Sequence, residues 1–325
     1  MPDDYLWYPT EKQAEFLRST ALEALFGGAM GSGKSEAILA GAVAQHENGD
    51  HRALVLRKSF PQLRDLISRS HALYSPLGGV FKAQEKTWIF PSGSSIEFNF
   101  CEQDSDKWNF QGRAFDFIAW DELTQWAGDA TDSAGEPCSG VYLFLLTRLR
   151  AVEGSGLRLQ MVSTCNPGGV GGQWVQTRFG IPDSGESSER LDPATGHRKQ
   201  FVSARLSDNK YLFNTSYATQ LSALAAADHA ALVEGRWDTF AGAVFSEFNA
   251  RKHICEPFAI PDAWEVWRGC ERIPPFGGDC CATQRPHSES VNVDNARAAA
   301  FFVQQIAKRV VRMVEADVAV HVFAD

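Results

Sequence analysis

Short apolar runs recur along the chain, each followed by a longer stretch of mixed character. Ala24-Leu25-Phe26, Ala53-Leu54-Val55-Leu56 and Phe117-Ile118-Ala119-Trp120 are too short for ordinary helices and too apolar for loops, so they read as strands buried on both faces. Together with similar runs they predict strands near residues 23–27, 53–57, 115–120, 158–164 and 200–204. The segments between them have helical patterning, as in Glu36 to Gln45. Strand and helix in alternation predict an α/β fold, a mainly parallel sheet flanked by helices. Thr87-Trp-Ile-Phe90 and Ser95-Ile-Glu-Phe-Asn-Phe100, separated by Pro91-Ser-Gly-Ser, predict a hairpin. Residues 214–235, alanine-rich with Leu221, Leu224 and Leu232, predict a helix closing this core. Gly128 to Gly140 and Asp183 to Arg198 are polar stretches containing Gly, Ser and Pro and are expected to be loops. There is no internal repeat.

Composition narrows this only slightly. With 325 residues, one large or two modest domains are expected. A chain 44% hydrophobic and 22% charged suits a soluble globular protein. No run of eighteen apolar residues and no basic leader before an apolar stretch occurs, so neither a membrane span nor a secretory signal is expected, and the cytosol follows. The seven cysteines lack paired metal spacing and read as reduced thiols.

The candidate chemistry begins at Gly28. Gly28-Ala-Met-Gly31-Ser32-Gly33-Lys34-Ser35 has the full spacing of a phosphate-binding P-loop, after an apolar strand and before a helix. The glycines let the backbone curl until its amides face a phosphate. Lys34 is expected to reach the β- and γ-phosphates, and Ser35 to offer its hydroxyl to Mg²⁺. The strand ending Trp120-Asp121-Glu122 supplies the acids such a site requires. Asp121 is expected to hold the Mg²⁺ hydration shell, and Glu122 to polarise the water that attacks the γ-phosphate. A third strand stops at Ser163-Thr164-Cys165-Asn166-Pro167, where Thr164 and Asn166 read as sensors of the γ-phosphate. A guanidinium that neutralises developing charge contributes roughly 10³ to 10⁵ in rate. Arg57, following the strand at 53–56, is expected near the nucleotide of its own chain, and Arg148 is expected to act on a neighbouring subunit.

In this order the motifs resemble those of the large terminase subunit of tailed bacteriophages, the ATPase motor that packages DNA. Tyr8-Pro-Thr-Glu-Lys-Gln13 is similar to the segment in which that family's Gln reads adenine, so the resemblance implies this role for Gln13. Phe26 to Ser35 resembles its phosphate loop, Ile118 to Leu123 its acidic strand, and Ser163 to Pro167 its coupling motif. Leu206-Ser-Asp-Asn209, Tyr217 and Leu232-Val-Glu-Gly-Arg-Trp237 resemble the end of its ATPase region. The resemblance implies ATP and Mg²⁺, double-stranded DNA, a portal protein, a small terminase subunit and other copies of the chain as partners. It also implies action in the cytoplasm of the bacterial host, transiently at the procapsid portal. Two alternatives stay open: a prophage remnant that binds ATP without motor activity, and another P-loop helicase or translocase.

The resemblance divides the chain into an ATPase motor domain at 1–250, a linker at 251–269 and a partial RNase H-like nuclease segment at 270–325. In that segment Cys270-Glu271 stands where a strand-ending Asp is expected, and Val318 to Asp325 resembles a later metal-binding strand, with Asp325 as its nuclease metal ligand. So few carboxylates predict a truncated or degenerate nuclease without activity. The formal net charge of -9 opposes DNA binding in bulk. Locally, His51 to Ser70 carries Arg52, Arg57, Lys58, Arg64 and Arg69 against a single acid, Asp65, and local distribution governs steering.

Overall fold

A computed structural model describes residues 7–212 together with Leu221, His229, Val233 and residues 235–237. The predicted helix at 214–235 therefore lies largely outside the described residues, as do the linker and the nuclease-like segment with Asp325.

The elements run α1 (Glu11–Leu17), β1 (Glu23–Gly28), α2 (Lys34–Val43), β2 (Arg52–Arg57), α3 (Phe60–Tyr74), β3 (Val80–Lys82), β4 (Thr87–Ile89) and β5 (Ser95–Phe100). They continue with β6 (Phe117–Trp120), β7 (Ala130–Thr131), β8 (Pro137–Cys138), α4 (Gly140–Leu146), β9 (Gln160–Cys165), α5 (Gly172–Phe179), β10 (Ser188–Leu191) and β11 (Arg198–Ala204). Among the described residues nine strands form one sheet in the order β10-β11-β1-β9-β6-β2-β5-β4-β3. The six from β11 to β5 are mutually parallel, and antiparallel strands flank them at both edges. The five predicted strands and the 87–100 hairpin are all present, and the class is α/β as expected. Two expected loops are corrected: residues 128–140 carry the small β7–β8 ladder, and residues 183–198 carry β10, an edge strand antiparallel to β11.

The parallel strands are covered on both faces because successive residues point to opposite sides. Phe26, Val55, Phe117, Ala119 and Val162 face α1, α2 and α3. Leu25, Leu56, Ile118, Trp120 and Met161 face α4 and α5. On this second side lies a buried charge network. Arg178 forks onto Glu23 with Nε to Oε2 at 2.7 Å and Nη2 to Oε1 at 2.9 Å, while Tyr142 donates to Glu23 Oε2 at 2.7 Å. Arg178 and Glu23 are each 2% exposed, so their mutual pairing is what makes burial tolerable. Among the described residues, no helix is long and apolar enough to cross a membrane.

Registration sets the site. β1 pairs with β9 and β11 so that Gly28 lies beside Ala204, and β6 pairs with β2 and β9 so that Trp120 lies beside Leu56 and Ser163. The carboxyl ends of these strands therefore share one rim, where ligands of open α/β sheets bind.

Candidate nucleotide site

The phosphate loop leaves β1 at Gly28 and enters α2 at Lys34. Gly28 has φ 127°, and a Cβ placed there would run into the carbonyl oxygen of Ala204. Gly31 and Gly33 also have positive φ, 71° and 83°, and Gly33 is the cap of α2. These are conformations that glycine adopts without steric cost. Ser35 is the second residue of α2 and half-buried. Lys34 is 7% exposed, and its Nζ donates to Ala29 O at 2.5 Å, Ser32 Oγ at 3.2 Å and Asn166 Oδ1 at 2.9 Å. Burial pushes its ammonium below the usual lysine range, with Glu122 and Asp121 pulling the other way.

The end of β9 organises the two acids. Thr164 Oγ1 donates to Asp121 Oδ1, and the backbone N–H of Glu122 donates to Thr164 Oγ1 at 3.3 Å. Asp121 Oδ2 accepts from Arg57 Nε at 2.7 Å, with Arg57 Nη2 at 2.6 Å. Asn166 Nδ2 lies 3.1 and 3.2 Å from the two carboxylate oxygens of Glu122. One amide thus joins Lys34 to Glu122, and one hydroxyl joins Asp121 to the Glu122 backbone. Glu122 itself sits at φ 61°, ψ 54°, a left-handed conformation that a non-glycine residue holds only when its surroundings impose it. Burial, and then the adjacent Asp121, raise its carboxyl above the ordinary range, partly offset by Lys34 and Arg57. A carboxylate so raised is a stronger base once ionised.

Gln13, Gly28, Gly31, Ser32, Gly33, Lys34, Ser35, Arg57, Asp121, Glu122, Thr164 and Asn166 all lie on this rim. Gln13 is turned onto the loop: its Nε2 donates to Gly33 O at 2.7 Å and its Oε1 accepts from Thr10 N at 2.8 Å. Arg148 is elsewhere. Its carbonyl accepts from Phe115 N, before the start of β6, whereas Asp121 follows the end of β6. Six extended residues separate these points by about 20 Å. The Arg148 guanidinium donates to Thr147 Oγ1 and lies 5.1 Å from the Phe144 ring centre.

Two residues of the site escaped the motif reading. Asn209, 7% exposed, donates from Nδ2 to Gly31 O at 2.6 Å, and Thr124 Oγ1 donates to Asn166 O at 3.2 Å. Only the order of segments pointed to the stretch containing Asn209, and nothing local distinguishes its amide from that of any other turn residue.

The residues present fit a bound nucleoside triphosphate with Mg²⁺. Lys34 and the amino end of the ten-residue α2 supply positive charge for phosphates, and the Ser35 hydroxyl and Asp121 carboxylate are the hard oxygen donors Mg²⁺ prefers. Among the described residues no cluster of three or more His, Cys, Asp or Glu forms a protein-only metal cage.

Residues 25–133 match the family model "Terminase large subunit, T4likevirus-type, N-terminal". The resemblance to the phage large terminases is borne out. The large terminase of a thermophilic bacteriophage superposes with a TM-score of 0.52 at 15% identity, covering 80% of this chain and 61% of that one. Complexes of the same terminase with ATP-gamma-S and with ADP give TM-scores of 0.50 and 0.51 at 14% and 15% identity. The ATP-gamma-S complex covers 80% of this chain and 62% of that one, the ADP complex 79% and 60%. This chain thus spans about three fifths of the length of the terminases it matches. At such identity the superposition shows a shared fold. No curated protein matches.

Proposed function

We propose that this chain is the ATP-hydrolysing motor subunit of a phage terminase, translocating double-stranded DNA into a procapsid. The observation that carries the reading is the double link made by β9, in which Thr164 fixes Asp121 while Asn166 bridges Lys34 and Glu122. Such a link lets the state of the phosphate be felt at the acid that activates the attacking water.

In the proposed reaction Glu122 accepts a proton from water as the water oxygen bonds to the γ-phosphorus. The bond from that phosphorus to the β,γ-bridging oxygen breaks, and ADP leaves with the electron pair. Lys34 exchanges its neutral acceptors, Ala29 O and Asn166 Oδ1, for phosphate oxygens. Asn166 then keeps Glu122 in place by its remaining bond. Ser35 and Asp121 would hold Mg²⁺, which would supply neutralising charge for the phosphates, and Arg57 keeps Asp121 fixed. Arg148, on the far rim, suits a role only toward a neighbouring copy.

By this reading the partners are double-stranded DNA, a portal protein, a small terminase subunit and further copies of the chain, in the host cytoplasm and transiently at the portal. Residues 270–325 are proposed not to cut DNA. Steady-state ATP hydrolysis with and without duplex DNA tests the assignment. DNA-stimulated turnover that disappears in Glu122→Gln is the expected result. A wild-type protein that binds ATP yet never turns it over, with or without DNA, overturns it.

A further inference from the structure

Thr124 stands where two loops of the rim meet. It lies in the single helical turn Leu123–Gln125 that follows Glu122, and it is 5% exposed. Its hydroxyl donates to Asn166 O at 3.2 Å, and its own carbonyl accepts from Gly171 N at 2.8 Å. One residue beside the acid pair thus fastens both ends of the segment from Asn166 to Gly171, which leads out of β9 into α5. The approach is close, since a Cβ at Gly169 or Gly171 would lie 2.9 Å from Thr124 O. Further along the same seam, Trp174 Nε1 donates to Trp126 O at 2.8 Å.

Pairing of β9 with β6 stops at Ser163 and with β1 at Cys165, so Asn166 lies beyond both ladders. Pro167 follows it and has no N–H to donate. Gly168 and Gly169 come next with φ of 92° and 74°, a region that glycine occupies freely. The end of the ladder on one side and glycine freedom on the other leave the Asn166 backbone dependent on an outside donor, and the Thr124 hydroxyl supplies one. The side chain carried on that backbone has an exacting task. Its Oδ1 faces Lys34 Nζ at 2.9 Å while its Nδ2 faces the Glu122 oxygens at 3.1 and 3.2 Å.

We propose that Thr124 is a positioning residue for hydrolysis, its hydroxyl setting the Asn166 backbone so that the Asn166 amide spans Lys34 and Glu122. Thr124 acts through Asn166 and has no part in holding the nucleotide. The proposal rests on the hydrolysis reading above and adds a residue that works on the base from behind the amide. A hydrogen bond donated to a carboxylate favours its ionised form, and Asn166 exerts that pull on Glu122. Slackening Asn166 therefore lowers kcat and moves the acidic limb of its pH profile upward, whereas a general loosening of the fold lowers kcat at every pH alike.

The test is steady-state hydrolysis of ATP with Mg²⁺ by the full chain in the presence of duplex DNA, across pH, for wild type, Thr124→Val, Thr124→Ala and Thr124→Ser. Val and Ala both lack the hydroxyl and differ in shape. Both are expected to lower kcat about 3- to 10-fold, the worth of one hydrogen bond, and to move the acidic limb to higher pH. ATP affinity, read by titration, is expected to stay within about 2-fold of wild type. Ser keeps the hydroxyl and is expected to restore both kcat and the limb. A Ser variant as slow as Val, a limb unmoved in both Val and Ala, or an ATP affinity that falls as far as kcat overturns the proposal. With Glu122→Gln inactive in the same assay, each of those results leaves the hydrolysis reading standing. Wild type without turnover, or Glu122→Gln as fast as wild type, removes that reading and the proposal with it.

Discussion

Asn166 and Glu122 are joined by an amide nitrogen placed almost equidistant from two carboxylate oxygens, at 3.1 and 3.2 Å. This geometry fixes the plane of the carboxylate while leaving its outer lone pairs for a water. Asn166→Asp replaces the donor with a second negative group, so the acid is both unanchored and repelled. The expected result is a kcat at least roughly 100-fold lower with nucleotide affinity changed much less, the range seen when a positioned acid–base group is lost. Equal losses in both would assign Asn166 to binding alone.

Glu122→Gln should behave oppositely in catalysis and in stability. Its carboxyl is raised in the fold by burial and by Asp121, so the protonated form favours the folded state. Its stabilising contribution is complete below the unfolded-state value and is lost as pH rises through the folded one. At neutral pH the ionised group therefore weakens the fold. Removing the charge is expected to abolish turnover and to raise Tm by roughly 2–4 °C at about pH 7.5, with the difference vanishing near the ordinary glutamate value of about 4.3. Scanning calorimetry at the two pH values decides it.

The same shift sets the pH dependence of turnover. With Glu122 as base, kcat rises with pH as the carboxyl ionises, and the acidic limb of the profile lies above that ordinary value. Arg57→Ala removes one of the cations that pull Glu122 down and is expected to move that limb to higher pH. A limb that stays put would take Arg57 out of the electrostatics of the site.

On the far rim, Arg148→Ala is expected to leave the affinity of one chain for ATP unchanged, because about 20 Å of strand separates it from Asp121. Nucleotide titration of the isolated chain is the measurement. By contrast, Arg178→Met removes the ion-pair partner of Glu23 at 2% exposure and leaves it only the Tyr142 hydroxyl, a change that typically costs about 3–5 kcal/mol. Urea unfolding should report it directly.

The phosphate loop and the two acids were legible because their chemistry is local. Glycine spacing dictates the curl, and an acid pair at the end of an apolar run can only emerge at a strand tip. What local sequence lacks is direction across the fold. Arg148 reads well as a guanidinium after the acidic strand, but α4 has carried the chain back to the amino rim before it appears. The likeness of the Gln13 segment could be read, yet the direction of its amide depends on how α1 crosses the loop. β10 was missed for another reason: Ser-Glu-Arg-Leu offers an edge strand no apolar run to announce it. The charges it carries instead suit an exposed sheet edge.

β1, the strand that delivers Gly28, has no early neighbour. Among the described residues it pairs with β9 and β11, and the loop it feeds is fastened by Asn209. Nearly all of the chain up to Asn209 must therefore leave the ribosome before the pocket exists. Contacts of such long sequence separation are slow to close. Nucleotide binding thus comes late in the folding of this core, and a nascent chain stalled before β11 carries its complete phosphate motif without β11 or Asn209 to complete its support.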